Sequence, residues 1–162
     1  MAAFVKIGDI KGEATDQDHK DWIIIESMTS PITRSIPQGA KDQQRTKGET
    51  ALGDIHLVRQ LDASSTKLQG ACAGGTFYPK VEIHFCSTIG GKQEPYLKYV
   101  LSDVIVSSYT FHGNSSGNPI PSEEVTIGFT QAEWTYVTLD PKTGKSKGQV
   151  AAAYNPGSAK LS

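Results

Sequence analysis

Apolar and polar residues alternate along much of the chain, and this alternation predicts a mainly β protein. Val81, Ile83 and Phe85 alternate with charged or polar residues, as in a strand with one buried and one solvent-exposed face. Segments rich in β-branched and aromatic residues predict strands at 4–10, 22–29, 53–61, 77–87, 96–111, 125–139 and 150–154. The alternation changes phase near residues 131–133, which indicates a bulge or a change of packing environment. The pattern favours a small antiparallel β-barrel, closed or nearly closed.

One short α-helix is predicted between the strands at 53–61 and 77–87. Asp62 or Ser64 is the type of residue that caps a helix by accepting a hydrogen bond from an amide of the first turn. Leu68 and Cys72 are four residues apart and share one face, and the two consecutive glycines that follow permit the left-handed backbone that ends a helix. We expect a helix of about ten residues.

Residues 31–52, PITRSIPQGAKDQQRTKGETAL, show no hydrophobic period and contain two prolines and two glycines, so they predict a long protruding loop. Loops longer than about 12–15 residues are uncommon in a compact domain and are usually functional or disordered. The charges of this segment are of both signs and are not interleaved with aromatic residues, which suits protein contacts better than nucleic acid. The alternatives are a loop that contacts a partner and a solvated segment without a binding role.

Composition and charge narrow the possible functions. The 162 residues fit a single domain, 1–162, large enough for a core without a disulfide or metal. Sixteen basic and seventeen acidic residues give a net charge of −1, so no positive field favours nucleic acid or an anionic membrane. The N-terminus lacks the pattern of a signal peptide, and no window approaches the length of a membrane-spanning helix. We expect a soluble protein made in the cytosol, with Cys72 and Cys86 reduced and buried.

No motif for catalysis, a cofactor or a metal is found, and the chain is not expected to be an enzyme. There is no GxSxG elbow and no glycine-rich phosphate loop. Glu123 and Glu124 are adjacent in a strand and point to opposite faces, so we interpret them as rim charges. The histidines occur singly, without metal-ligand spacing, and are interpreted as ordinary surface or turn residues: His19, His56, His84 and His112.

Four segments together resemble the Hcp family of the bacterial type VI secretion system. They are IKGEATDQDHKDWIIIES at 10–27, DASSTKLQGACAGG at 62–75, YLKYVLSDVIVSSYTFHG at 96–113 and EEVTIGFTQAEWTYV at 123–137. The resemblance implies a small β-barrel with a helix on its side, assembled into a hexameric ring. It further implies rings stacked into a tube that carries a VgrG-like spike protein at its tip, lies inside a contractile sheath and holds effector proteins in its lumen. Such a protein is cytoplasmic before assembly and is then secreted without a cleaved signal peptide.

The resemblance also suggests which residues make contacts. The loop at 37–52 corresponds to the family's extended loop that reaches a neighbouring ring, although it is charged and glutamine-rich where some relatives carry glycine-rich loops. The ring-stacking residues are then Gln38, Lys41, Asp42, Gln43, Gln44, Arg45, Lys47 and Glu49. Exposed sheet edges would extend into neighbouring subunits. Ser27 and Thr29 are possible contacts to an effector in the lumen, although the opposite face of their strand fits equally well.

The main alternative is a monomeric β-barrel that acts as a binding module or secreted effector through the loop at 31–52. A hydrolase assembled from scattered histidine and acidic residues is a more remote alternative, because nothing in their spacing supports it. The mass of the particle in solution separates the first two possibilities, since a tube subunit forms rings and a binding module does not.

Overall fold

A computed structural model of the chain describes residues 1–39, 41, 48–117, 119–156 and 160–161. The described part contains one helix, α1 (Ser65–Gly74), among twelve strands. In chain order the strands are β1 (Ala2–Ile7), β2 (Ile23–Ile25), β3 (Ser27–Thr29), β4 (Ile32–Arg34), β5 (Thr50–Leu52), β6 (Ile55–Gln60), β7 (Phe77–Ile89), β8 (Lys92–His112), β9 (Ser122–Gly128), β10 (Gln131–Leu139), β11 (Ser146–Asn155) and β12 (Lys160–Leu161).

The barrel is a nearly closed circuit of antiparallel pairs. β1 pairs with β7, β7 with β8, β8 with β9, β9 with β6 and β6 with β3, while β2 returns to β1. β2 and β3 are separated by Glu26 alone, whose amide donates a hydrogen bond of 2.8 Å to the Val58 carbonyl of β6. The predicted strand at 22–29 therefore forms two short strands, of which β2 pairs with β1 and β3 pairs with β6. The nearly closed, mainly β barrel confirms the predicted fold class.

The sheet of the barrel branches along β8. Residues 97–102 of β8 pair with β10, whereas residues 105–112 pair with β9. Between the two stretches, Asp103 has a φ of 55°, and its carboxylate accepts a hydrogen bond of 2.8 Å from the Thr130 hydroxyl. The predicted strand at 125–139 is accordingly two strands, β9 and β10, and the change of phase near residues 131–133 marks the crossing between their packing environments. β10 then pairs with β11, and β11 with β12.

The barrel interior holds one apolar core, built from the inward residues of its strands. Val5, Ile83 and Ile127 are among its fully buried members, and Leu68 and Ala71 of α1 pack against it. Cys72 is half-buried beside the core and Cys86 is buried, and both are free thiols, as predicted. The helix therefore covers one flank of the barrel.

The predicted helix is confirmed in length and at its C-terminus; of the two predicted capping residues, Ser64 makes no side-chain cap, whereas the Asp62 carboxylate accepts a hydrogen bond of 2.8 Å from the Ser64 amide. Gly75 follows the helix with a φ of 63°, and its amide donates to the Ala71 carbonyl. Ser64 is the N-cap residue, yet its side chain accepts no hydrogen bond from the first turn. The Ser64 hydroxyl instead accepts a hydrogen bond from Arg59 at 2.8 Å and donates to the Asp62 carboxylate, so it is already fully engaged.

We call the segment at 31–52 the arm; the residues of it that the structure describes are 31–39, 41 and 48–52. The sequence predicts a loop without secondary structure, whereas its base is a two-stranded ribbon formed by β4 and β5. The ribbon is held by main-chain pairing and by the Arg34 guanidinium, which donates a hydrogen bond of 2.8 Å to the Thr50 hydroxyl. Residues 31–39 are all exposed. The first half of the arm thus presents its side chains to solvent, as the prediction of a protruding segment requires.

Candidate assembly surfaces and buried polar clusters

The predicted stacking residues belong to the arm. Gln38, Lys41 and Glu49 are exposed, and the Glu49 amide donates a hydrogen bond of 2.9 Å to the Ser35 hydroxyl beyond the ribbon. Asp42, Gln43, Gln44, Arg45 and Lys47 lie outside the described residues. The described part of the arm also exposes two isoleucines, Ile32 and Ile36. Charged and apolar side chains on a projecting ribbon are the composition expected of a contact surface.

The predicted lumen residues share one face of β3. Ser27 and Thr29 are exposed, whereas Met28 between them is half-buried and packs against the core. The two polar side chains therefore point away from the barrel interior. Thr29 lies opposite His56 of β6, which is exposed as predicted and lies 3.0 Å from the Thr126 hydroxyl through its Nδ1 atom. The structure brings these polar residues into one outward-facing patch.

β11 presents an exposed sheet edge. One side of the strand pairs with β10, while on the other side β12 pairs only with Tyr154 and Asn155 among the described residues. Val150 is 74% exposed and lies directly across from Tyr136, which is 53% exposed. A groove of about 460 Å³ lies beside Tyr136 and is lined in part by Tyr96, Ile89 and Leu139. An edge with adjacent exposed apolar side chains is a surface suited to pairing with another chain.

Two of the histidines lie in a buried cluster, so their interpretation as ordinary surface or turn residues is wrong. His19 belongs to the segment at 11–22, and its side chain is buried. Its Nδ1 lies 2.6 Å from the Asp16 carboxylate. Its Nε2 lies 2.9 Å from Nδ1 of the half-buried His84, and Phe4 and Trp22 contact the His19 ring. Burial, followed by the charges of His19 and Lys98, lowers the pKa of His84 to about 4. This cluster attaches the segment at 11–22 to the outer face of the barrel.

Cys86 lies beside the histidine cluster in an order that resembles a Cys-His-Asp triad. Its Sγ is 3.9 Å from His19 Nε2, and Asp16 binds the other nitrogen of the ring. Burial, followed by the nearby carboxylates of Asp16 and Glu94, raises the pKa of the Cys86 thiol to about 12. A nucleophilic cysteine needs a lowered pKa and solvent access, and Cys86 has neither. The arrangement is therefore a packing contact of the barrel wall.

A second cluster pairs charges inside the barrel, and it corrects the interpretation of Glu123 as a rim charge. Glu123 is fully buried and its Oε1 lies 2.6 Å from NH1 of Arg59, which is also buried. Arg59 binds Asp62 as well, and Glu123 accepts hydrogen bonds from Ser65, at 3.1 Å, and from the Tyr109 hydroxyl. The cluster joins β6, β8, β9 and the start of α1. Glu124, in contrast, is exposed, as predicted.

Metal and membrane sites were also sought among the described residues. No group of three histidine, cysteine or acidic side chains is placed to hold a metal ion in this part of the chain. None of the helical segments that the structure describes has the length and hydrophobicity needed to cross a membrane.

Comparisons with known proteins identify relatives along nearly the whole chain. The family model described as type VI secretion system effector, Hcp, matches residues 4–136. Protein hcp1 of Pseudomonas aeruginosa is 29% identical over 152 residues, which cover 94% of this chain and 93% of that protein. A solved structure described as a type six secretion system protein has a TM-score of 0.89 at 25% identity and covers 99% of both chains. Hcp1 from Salmonella typhimurium has a TM-score of 0.77 at 24% identity over 99% of this chain and 98% of that one, and therefore shares the fold.

Proposed function

The chain belongs to the Hcp family of the type VI secretion system, and we propose that six copies close into a ring and that rings stack head to tail. It is a secreted structural subunit of the tube of that system, in a family of structural proteins and not of enzymes. The observation that carries the proposal of a ring is the exposed edge of β11, with the cross-strand pair Tyr136 and Val150.

Ring closure would remove the exposed edge of β11, whose unpaired main-chain groups are unfavourable in solution. Unpaired main-chain groups beside exposed apolar side chains favour pairing with another chain, and a closed ring satisfies every such edge at once. The groove beside Tyr136 offers a concave surface for the neighbouring subunit. The contact joins two different surfaces of the subunit, so the assembly closes only when the rotation between neighbours divides a full turn.

The proposal of a ring is tested by measuring particle mass. Size-exclusion chromatography with light scattering should give about 104 kDa, six times the 17.4 kDa of the chain. Val150→Asp should shift the particle toward the monomer, because it places a charge at the centre of the apolar contact. Ile36→Asp is the matched control, since Ile36 is a comparably exposed apolar residue on the arm and should leave the ring intact. A monomeric wild-type protein would favour the alternative of a binding module that acts through the segment at 31–52.

Stacking is assigned to the arm. A head-to-tail contact must join two different surfaces, and a ribbon that projects from one end of the barrel provides one of them. Replacing Arg45 and Lys47 by glutamate should leave rings intact and weaken stacking, more visibly at low salt than at high salt. Sedimentation velocity of the purified rings measures this effect, and unchanged stacking at low salt would contradict the role of these charges.

Contacts with other components follow from the tube. In this proposal the tube lies inside a contractile sheath, carries a VgrG-like spike at its tip and holds effector proteins in its lumen. Ser27 and Thr29 are the proposed effector contacts, because they form an outward-facing polar patch. Replacing both by glutamate should reduce the amount of effector that copurifies with the rings. An unchanged amount of copurified effector would contradict a role for these residues in the lumen. An intact mass of secreted protein equal to that of the full chain would support export without a cleaved signal peptide.

A further inference from the structure

The segment at 11–22 lies on the outer wall of the barrel without joining its sheet. Its main-chain hydrogen bonds close it on itself, since the Gly12 amide donates to the Asp21 carbonyl at 2.8 Å and the Asp21 amide donates to the Ala14 carbonyl at 2.9 Å. Among the described residues, none of its main-chain groups forms a hydrogen bond with the main chain of a strand. Side chains therefore hold the segment in place, and it can leave the wall without breaking the sheet.

Few side chains make this attachment. Of residues 11–22, all of which the structure describes, only Ala14 and His19 are buried. They pack against Phe4 of β1 and Cys86 of β7, which are buried as well. The His19 ring stacks on Phe4 with 4.6 Å between the ring centroids, and its Nε2 lies 3.9 Å from Sγ of Cys86. His19 is therefore the central polar contact between the segment and the wall.

The contact between His19 and His84 can hold one extra proton but not two. Nε2 of His19 lies 2.9 Å from Nδ1 of His84, a hydrogen bond that needs a proton on one nitrogen and a lone pair on the other. Nδ1 of His19 faces the Asp16 carboxylate at 2.6 Å, so a cationic His19 ring can donate to both neighbours while His84 stays neutral. A second proton, on His84, would leave two N–H groups and two positive charges facing each other. The hydrogen bond would then be lost and the rings would repel.

The other groups around the two rings do not offset a second positive charge. The charged and titratable groups come from the segment itself and from β1, β7 and β8, namely Asp16, Asp18, Lys6, Glu82, Cys86, Glu94 and Lys98. Lys98 lies directly opposite His84 in the pairing of β7 with β8 and adds positive charge. Glu82 already forms an ion pair of 2.7 Å with Lys80. Burial, followed by the charges of His19 and Lys98, accordingly lowers the pKa of His84 to about 4.

We propose that mild acid releases the segment at 11–22 from the barrel wall, when a second proton enters the pair formed by His19 and His84. Protons favour the released state because both rings can then be cationic in water, so release increases as pH falls from 6.5 toward 4. Above pH 6.5 His84 is neutral in both states and the segment stays attached. Release uncovers Phe4 and Cys86, which form an apolar surface that contains a thiol.

The proton balance gives the size of the effect. A difference of one pKa unit between the attached and released states changes the ratio of released to attached segments about tenfold. The lowering of the His84 pKa from 6.5 to about 4 sets an upper limit of about 300-fold, and solvent screening of the half-buried ring reduces it. We expect the ratio to rise about tenfold between about pH 7 and about pH 4.5.

Labelling of the two cysteines measures the release. A pyridyl disulfide, which reacts with thiols in mildly acidic solution, is added to the full chain at each pH, and mass spectrometry gives the labelling rate of each cysteine. Cys72 of α1 lies outside the histidine cluster and is the reference within the same chain, so the ratio of the Cys86 rate to the Cys72 rate removes the effect of pH on the reagent. This ratio should rise about tenfold as pH falls from about 7 to about 4.5.

Three variants separate the histidine pair from other effects of acid. His84→Asn removes the titrating ring but keeps a side-chain oxygen that can accept from His19, so its ratio should change less than about twofold over the same range. Lys98→Gln leaves both rings in place and removes a charge that opposes the second proton, so its rise should be smaller than that of the wild type. His56→Asn is the matched control, because His56 is an exposed histidine outside the cluster and its loss should leave the wild-type rise intact.

Each possible result supports or overturns the inference. A rise in the wild type and in His56→Asn, a nearly constant ratio in His84→Asn and unchanged hydrogen exchange in the core of β7 and β8 would support it. A constant ratio in the wild type would overturn it. An undiminished rise in His84→Asn, or a larger rise in Lys98→Gln, would also overturn it. Loss of exchange protection in the core of β7 and β8 over the same range would do so as well, because unfolding of the barrel would then uncover Cys86.

Discussion

The buried pair formed by Arg59 and Glu123 should dominate the stability of the barrel near α1. The Arg59 side chain is 1% exposed and that of Glu123 is 0% exposed, with 2.6 Å between NH1 and Oε1. Arg59→Met keeps much of the aliphatic length but removes the only cation among the charged groups of the cluster, and it leaves the carboxylates of Glu123 and Asp62 without their partner. Carboxylates buried in this way have lost their hydration, and without the guanidinium they keep only hydrogen bonds from neutral groups such as the hydroxyls of Ser65 and Tyr109.

The expected loss follows from the burial of both groups. Removing one partner of a buried ion pair costs about 3–5 kcal/mol, a large share of the roughly 5–15 kcal/mol that stabilises a typical domain. Glu123→Gln should cost less, about 1–3 kcal/mol, because Arg59 keeps Asp62 and the glutamine oxygen can still accept from Ser65. The double variant should be more stable than the sum of the two losses implies, with a coupling of about 0.5–3 kcal/mol.

Urea unfolding at one fixed protein concentration measures these losses, because any self-association, such as the proposed ring, stabilises the folded subunit by mass action. Lys80→Met is the matched control. Lys80 and Glu82 form an ion pair of 2.7 Å, but the Lys80 side chain is 61% exposed, so the loss should stay below about 1 kcal/mol. If Arg59→Met destabilises the protein no more than Lys80→Met does, burial is not what makes the Arg59 pair important.

Three further predictions concern single groups. The folded-state pKa of His84 is lowered from 6.5 to about 4. The contribution of the neutral ring to the free energy of unfolding is therefore full above pH 6.5 and is lost as pH falls toward 4. We expect this loss of stability to be about 1–2 kcal/mol for the half-buried ring. In His84→Asn the urea midpoint should therefore depend less on pH across this range than in the wild type. A Cβ on Gly70 or Gly75 meets no atom within 4 Å, but Gly75 has a φ of 63°. In thermal melts Gly70→Ala should therefore stabilise by about 0.5–1 kcal/mol and Gly75→Ala destabilise by about 1 kcal/mol. Iodoacetamide at pH 8, followed by mass spectrometry, should modify Cys72 well before the buried Cys86, whose pKa is raised to about 12, and equal rates would contradict this.

Local signals account for the parts of the fold that were predicted correctly. The period of two in β7 and the glycines after α1 act within a few residues, so the strand and the end of the helix can be recognised without knowing their neighbours. The ribbon at the base of the arm was missed because β4 and β5 are three residues each and are stabilised mainly by pairing with each other. Such short strands carry too few residues to show a period.

The histidine cluster could not be predicted from periodicity. His84 occupies the outward phase of β7, and periodicity shows only which residues of a strand share a face, not whether another segment covers that face. Here the segment at 11–22 covers the barrel wall and brings His19 to His84 across 65 positions of sequence. Within the segment itself, no period distinguishes a covering loop from a solvated one.

The pair formed by Arg59 and Glu123, in contrast, can be recognised from the sequence pattern. Arg59 has the same phase as Ile55 and Leu57 in β6, and Glu123 has the same phase as Val125 and Ile127 in β9. Each is therefore a charge at an inward position, which is unfavourable unless an opposite charge meets it. In the structure the two residues are directly opposite each other in the antiparallel register of β6 and β9.

This placement gives the pair a second role beyond stability. A slip of two residues between β6 and β9 would keep the same residues on the inward face but place Arg59 opposite Val125 and Glu123 opposite Leu61, so both charges would be buried without each other. An apolar pair at these positions would accept neighbouring registers more readily, since aliphatic contacts are not directional. The ion pair thus selects one register for the pairing of β6 with β9.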